Sequence, residues 1–248
     1  MGMATQSTEP EFVLGTGQAL RAPWAASIAG ILFAILFTVA LILLRTQPMM
    51  SASDEELVRL FAAGEDFGAV VGGLYLAPLA GIMFLWFLAV IRDQIGERED
   101  RFFATVFFGS GVMFVSILFA ATAIAVAPVV EVRYLGFPAP TAAVIDQFQA
   151  MSYTMLFAFG TRAAGVFMLA TATVGAHSGA FPRWFTLTGY VIGLMLLIAV
   201  AFWDWIVLVL PAWVGVVSIF LLIRERPRRR SSPATAGTAP KAKQDTTA

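Results

Sequence analysis

The chain has 248 residues, 59% of them apolar and only 13% charged, and its sixteen basic and sixteen acidic side chains balance. Soluble domains carry about a quarter charged residues, and a soluble fold of this length has no interior large enough for so much apolar surface. With one histidine, His177, and no cysteine, the chain also lacks the ligands for structural zinc, Cys-held clusters, paired-His haem or a disulfide framework, so no cofactor is expected.

About 20 apolar residues cross the roughly 30 Å of bilayer hydrocarbon, and runs of that length predict an all-α polytopic transmembrane bundle of six spans. Residues 1–22 read as a flexible tail, 23–223 as the six-helix transmembrane domain and 224–248 as a second tail. The first run extends from Trp24 to Leu44. It is too long for the apolar core of a signal peptide and no small-residue cleavage pattern follows it, so it is expected to stay attached. The second run, Ala69 to Ile91, and the third, Phe102 to Ala127, are closed by charged or proline-containing segments. The fourth, Gln149 to Ala176, exceeds the need, which predicts a tilt or an upper part standing above the bilayer. From Trp184 to Ile223 only Asp204, between Trp203 and Trp205, interrupts 40 residues. That pattern predicts two spans turning at an interfacial aromatic belt.

Basic residues are retained on the cytoplasmic side. With six spans, Arg21, Arg92, Arg98, Arg101, Arg183 and seven basic residues of the C-terminal tail share one face, and Arg45, Arg59 and Arg133 share the other. Both termini are therefore expected to be cytoplasmic. A five-span reading would export the Arg224 to Arg230 cluster. The outer face is negative, carrying Asp54, Glu55, Glu56, Glu65, Asp66, Glu131, Asp146 and Asp204.

In the first outer loop, Ser53 and Glu56 have capping-box spacing, and Leu57, Leu60 and Phe61 follow at helical intervals before Gly64. A short helix covering the ends of the spans is expected. The second outer loop, Pro128 to Asp146, carries Pro138 and Pro140 and restarts as helix near Thr141. Small residues at four-residue spacing (Ala26 and Gly30, Ala77 and Gly81, Gly189 and Gly193) predict close helix packing. The Gly189/Gly193 pair suits packing within the chain at least as well as oligomerisation, since the motif does not distinguish the two. Pro78 and Pro211 are expected to bend the second and sixth spans. The C-terminal tail, with Arg224, Arg226, Arg228, Arg229 and Arg230 and no apolar periodicity after them, is expected to be disordered. Its basic cluster suits a topological anchor, or contact with anionic lipid headgroups of the bilayer. Without interleaved aromatics or a folded module beside it, nucleic acid is not an expected partner.

Arg162 is the one formal charge well inside an apolar run. An arginine at the centre of a span costs about 2.5 to 3.5 kcal/mol, so such residues usually face the bundle interior or a wet cavity. At 100° per residue Thr154, Ala158, Thr161, Gly165 and Ala172 form a small, weakly polar stripe with Arg162 at its edge, and that stripe is expected to pack inward. Counted from Ala176, Arg162 stands about 21 Å up, in the outer half of the hydrocarbon. Asp66 is the preferred counter-charge, with Glu65 and Asp204 behind it and Tyr75 and Ser110 as neutral partners. These residues, with Thr161, form the candidate intramembrane polar site.

Gly109-Ser110-Gly111 lacks the first glycine of a rhomboid-type motif, since Phe107 stands there, and His177 lies at the opposite edge, so an intramembrane serine protease is not expected. Proton-coupled carriers typically place Asp, Glu or His inside their spans; none is found, nor is a convincing internal repeat, nor any nucleotide-binding pattern. The six runs, the Arg92-Asp93-Gln94-Ile95-Gly96-Glu97-Arg98 inner loop and the Arg162 segment resemble, in layout, uncharacterised six-span integral membrane proteins of actinobacteria. That resemblance implies a bacterial cytoplasmic membrane and no particular activity. Two functions follow from the residues. One is a non-enzymatic accessory or structural bundle, which predicts an enclosed Arg162 and no cavity. The other is a permease or binding protein for an amphipathic or anionic small molecule or lipid, which predicts an outward crevice of roughly 300 Å³ or more touching Arg162.

Overall fold

The computed structural model describes residues 23–46, 52–95, 101–177, 179, 181–198 and 204–225. Among them every regular element is helical. In chain order these are α1 (Pro23–Arg45), α2 (Asp54–Ala63), α3 (Phe67–Ala69), a π turn (Val70–Leu76), α4 (Ala77–Ile95), α5 (Arg101–Arg133) and α6 (Ala142–Tyr153). A second π turn (Thr154–Gly160), α7 (Thr161–His177), α8 (Arg183–Ile198), a 3₁₀ turn (Asp204–Leu208) and α9 (Val209–Glu225) complete the chain. Five helical stretches are long and apolar enough to cross a membrane: Trp24–Arg45, Val70–Arg92, Phe102–Arg133, Ala142–His177 and Trp205–Ile223. The apolar α8 has only 16 residues, about 24 Å.

α1 shows why these helices belong in lipid. Ile28, Leu32, Ile35, Val39 and Ile42 are exposed, while Ala26, Ala29, Phe33, Phe37 and Ala40 are buried. Both faces are apolar, so one suits the protein interior and the other suits acyl chains. With little hydrophobic drive between helices in lipid, close packing has to hold the bundle, and small residues permit it. A Cβ on Gly30 would fall on Ser218, and one on Gly215 would lie 3.5 Å from Ala34 Cβ, so α1 and α9 run antiparallel. α7 and α8 do likewise: Gly165 meets Gly193, and Gly189 meets Ala172. The described N- and C-terminal residues therefore lie at one end of the bundle.

The centre is filled by phenylalanines. Phe33 of α1, Phe84 of α4, Phe114 of α5 and Phe167 of α7 are buried, and the Phe84 ring lies 4.6, 5.7 and 5.2 Å from those of Phe33, Phe114 and Phe167. Phe107 extends the cluster, 5.0 Å from Phe167. Tilted and edge-on ring pairs of this kind each add roughly 0.5–1.5 kcal/mol beyond area burial.

The expected short helix in the first outer loop is α2. Ser53 Oγ accepts the Glu56 backbone N–H at 3.4 Å. Gly64 ends the helix at φ +73, a left-handed conformation that favours glycine, and its N–H closes on Phe61 O. Leu57 is fully buried against Ala69, Val129 and Ile145, with Leu60 and Phe61 beside it. Asp54 Oδ1 accepts the Ala142 N–H at 2.6 Å, so α2 caps the start of α6 from 88 residues away. Thr141 makes no side-chain cap bond there.

Two boundaries and the setting of two prolines differ from the sequence reading. α5 continues through Pro128 to Arg133 instead of closing at Ala127; a membrane helix tolerates a proline where neighbours satisfy the freed carbonyl. The fourth span begins at Ala142 and runs unbroken to His177. Neither expected proline bend falls inside a plain helix. Pro78 stands just after the π turn, whose wider winding relieves the clash of a proline ring with the preceding turn, and Pro211 stands in the first turn of α9, where its missing N–H costs least.

Candidate functional site

Arg162 is half-buried, not enclosed. Its Nη1 donates to Ala158 O, one turn back on its own helix segment, and among the described residues no carboxylate pairs with it. Along α7 the residues at its angle, Val166, Leu169 and Thr173, are also half-buried, whereas Thr161, Gly165 and Ala172 are buried. The lower part of the expected inward stripe is therefore present. Its upper part is not: Thr154 is exposed, because the π turn inserts a residue and rotates the helix face by about 100° relative to uninterrupted α-helix.

Asp66, expected opposite Arg162, pairs with Arg133. The carboxylate is 2% exposed and its Oδ1 lies 3.1 Å from Arg133 Nη1. Neither oxygen has a well-aligned hydrogen bond, so the contact is electrostatic. The extension of α5 past Pro128 is what carries Arg133 to this place. Glu65 is exposed. Tyr75 points outward, 58% exposed. Ser110 is buried, and its hydroxyl donates to Val106 O at 2.7 Å and Phe107 O at 3.1 Å. Thr161 donates to Phe157 O at 2.5 Å. Asp204 begins the 3₁₀ turn, and its side chain lies outside the described residues. The structure thus disperses the polar set grouped around Arg162: most hydroxyls bond the carbonyl one turn back, as helices in apolar surroundings favour. His177 sits at the foot of α7 with Nδ1 2.9 Å from Thr173 O, beside the ring of Phe103, about 10 Å along α5 from Ser110.

Gly189 and Gly193 are spent inside the chain. Added Cβ atoms would meet Ala172 Cβ at 2.9 Å and Gly165 O at 3.0 Å respectively, so this face packs on α7 and is not available to a second copy. Arg226, Arg228, Arg229 and Arg230 lie outside the described residues, as does the side chain of Arg224 in the last turn of α9.

A cavity lies elsewhere. It holds about 90 Å³, opens partly to the surroundings, and is walled by α1, α5, α6 and the second π turn, with Ala69 of α3 and Ala77 of α4. Ala40, Ala69, Ala77, Ala121 and Ala125 line it, leaving a slot between larger Leu and Phe side chains. Arg162 does not line it; Arg45 does. The Arg45 guanidinium carbon stands 5.0 Å from the centre of the Tyr153 ring and 5.1 Å from that of Phe157, a cation–π clamp that fixes the charge against α6. Gln149 and Ser152 line the same cavity, and Ser152 Oγ ties α6 to Ala121 O of α5 at 2.8 Å. Sequence reasoning counted Arg45 only as an outer-loop charge. The signal that could have found it is Gln149, Ser152 and Tyr153 on the opening turns of a long apolar run.

Among the described residues no three His, Asp or Glu side chains converge as a metal site. Compared with protein-family models, with curated proteins and with solved structures, the chain matches none. The chain is a multi-pass membrane protein by the composition and length of its helices.

Proposed function

We propose that the chain is a six-span accessory or structural bundle of the bacterial cytoplasmic membrane, with residues 1–22 and 224–248 on the cytoplasmic side and no catalytic role. The observation that carries this reading is the centre of the bundle: Phe33, Phe84, Phe114 and Phe167 from four helices close it with rings. A carrier needs polar or ionisable groups along a central route. Arg162 is half-buried rather than enclosed as a purely structural bundle predicts, but the cavity beside Arg45, about 90 Å³, is well under the 300 Å³ or so of a small-molecule pocket and is not lined by Arg162, so it gives a permease route through Arg162 no support. Six crossings are favoured over five because α8, although short, runs antiparallel to α7, and because α9 returns antiparallel to α1. The layout likeness to six-span actinobacterial membrane proteins agrees with this placement.

Liposomes loaded with small anions or amphiphiles are expected to hold their contents equally long with and without the purified chain. A saturable, protein-dependent flux would overturn the structural reading. Reporter fusions at the two tails are expected to report the same cytoplasmic side, and opposite sides would overturn the topology.

A further inference from the structure

We propose that the cavity beside Arg45 binds a single acyl chain bearing an anionic head, the chain lying between α1, α5 and α6 and the head meeting Arg45. This goes beyond the structural role above and rests on the topology proposed there only for the leaflet that supplies the chain. Three observations converge. The walls are apolar and lined by five alanines, Ala40, Ala69, Ala77, Ala121 and Ala125, which makes a narrow slot. At about 90 Å³ the slot is smaller than the roughly 150 Å³ that holds a benzene ring. It admits part of a slender chain rather than a ring system or two acyl chains.

The polar groups of the slot stand on α1 and α6, apart from Thr122 of α5, whose hydroxyl donates to Leu118 O at 2.7 Å. Arg45 ends α1, where a helix C-terminus favours a cation, and the rings of Tyr153 and Phe157 hold its guanidinium in place. Guanidinium is the side-chain group best shaped for a carboxylate or phosphate. Gln149 adds an amide that no described residue bonds.

The third observation is where the helices deviate. The second π turn lines this cavity through Leu156 and Phe157, and the residues at either end of the first, Ala69 and Ala77, line it too, although none of Val70–Leu76 does. π turns cost regular hydrogen bonding and recur at functional sites. In the topology proposed above, this end of the bundle faces the outer leaflet, which supplies such chains directly.

The test is native mass spectrometry of the full chain with palmitate, hexadecyl phosphate, hexadecanol and acetate. One palmitate or one hexadecyl phosphate per chain is expected, the preference between them telling carboxylate from phosphate, with no acetate bound. Ala125→Leu, which fills the slot, is expected to weaken both anionic amphiphiles at least tenfold while the melting temperature holds. Arg45→Gln is expected to weaken them at least tenfold and leave hexadecanol within twofold; Arg45→Lys is expected to keep most of the binding. No adduct with either anionic amphiphile, or equal binding by wild type and Ala125→Leu, would overturn the proposal. So would equal binding of palmitate by wild type and Arg45→Gln. Should Arg45→Gln fail to fold, Ala125→Leu decides alone.

Discussion

Arg162 and Arg45 are both guanidiniums on apolar helices, and the protein accommodates them by different means. Arg162 bonds Ala158 O on its own helix segment and stays half-buried, so among the described residues its removal breaks no hydrogen bond or ion pair between helices. Arg162→Leu is therefore expected to leave the melting temperature unchanged or raised, and to leave amphiphile binding intact; a fall of several degrees would show that it ties helices together. Asp66 is in the opposite position, 2% exposed with Arg133 as its counter-charge. Arg133→Met strands a buried carboxylate and is expected to cost on the order of 1–3 kcal/mol. Adding Asp66→Asn should recover part of that, and a double-mutant cycle of thermal unfolding in detergent measures the coupling. The sequence marked Asp66 as a carboxylate near the membrane. It could not supply the partner, because Arg133 reaches Asp66 only if the helix ignores Pro128.

At the scale of elements, the caps were legible and the contacts they make were not. Ser53, Glu56 and Gly64 delimit α2 by local hydrogen bonds, and local bonds follow from spacing. The bond from Ala142 N–H to Asp54 Oδ1 is long-range and has no spacing signature. Asp54→Ala is expected to destabilise the chain by roughly 0.5–2 kcal/mol, as loss of an N-cap does, with hydrogen exchange rising first at residues 142–145. Between α7 and α8, a Cβ on Gly165 would come 2.7 Å from Gly193 O. Gly165→Ile is expected to lower stability by about 1–3 kcal/mol through overpacking. Gly109→Ala, where nothing lies within 4 Å, is expected to be neutral or stabilising by up to about 1 kcal/mol, as alanine in a helix usually is. Small-residue spacing predicted close approach at Gly189 and Gly193, and both meet α7; Gly165 and Gly109 carry no such spacing signal, and only the packing distinguishes them.

For the whole molecule, the antiparallel meeting of α1 and α9 brings the first and last described helices together, and the absence of native cysteine makes this directly testable. Gly215 would place a Cβ 3.5 Å from Ala34 Cβ, within disulfide range. The double variant Ala34→Cys, Gly215→Cys is expected to form a cross-link within one chain, seen as a mobility shift without dimer; no cross-link under oxidation would contradict the α1/α9 pairing. The apolar runs by themselves determined that the chain is an all-α multi-pass membrane protein, because crossing lipid demands length and hydropathy that leave a plain mark in the residues. The position of the polar site was decided by tertiary structure alone. Two π turns shift the helix faces away from the regular 100° wheel, and the continuation of α5 sends Arg133 to Asp66. Packing of α6 and the second π turn on α5 then brings Tyr153 and Phe157 under Arg45, an apparently ordinary span-end charge, beside an alanine-lined slot. Each of these depends on contacts between residues far apart in the chain, and no periodicity along it encodes them.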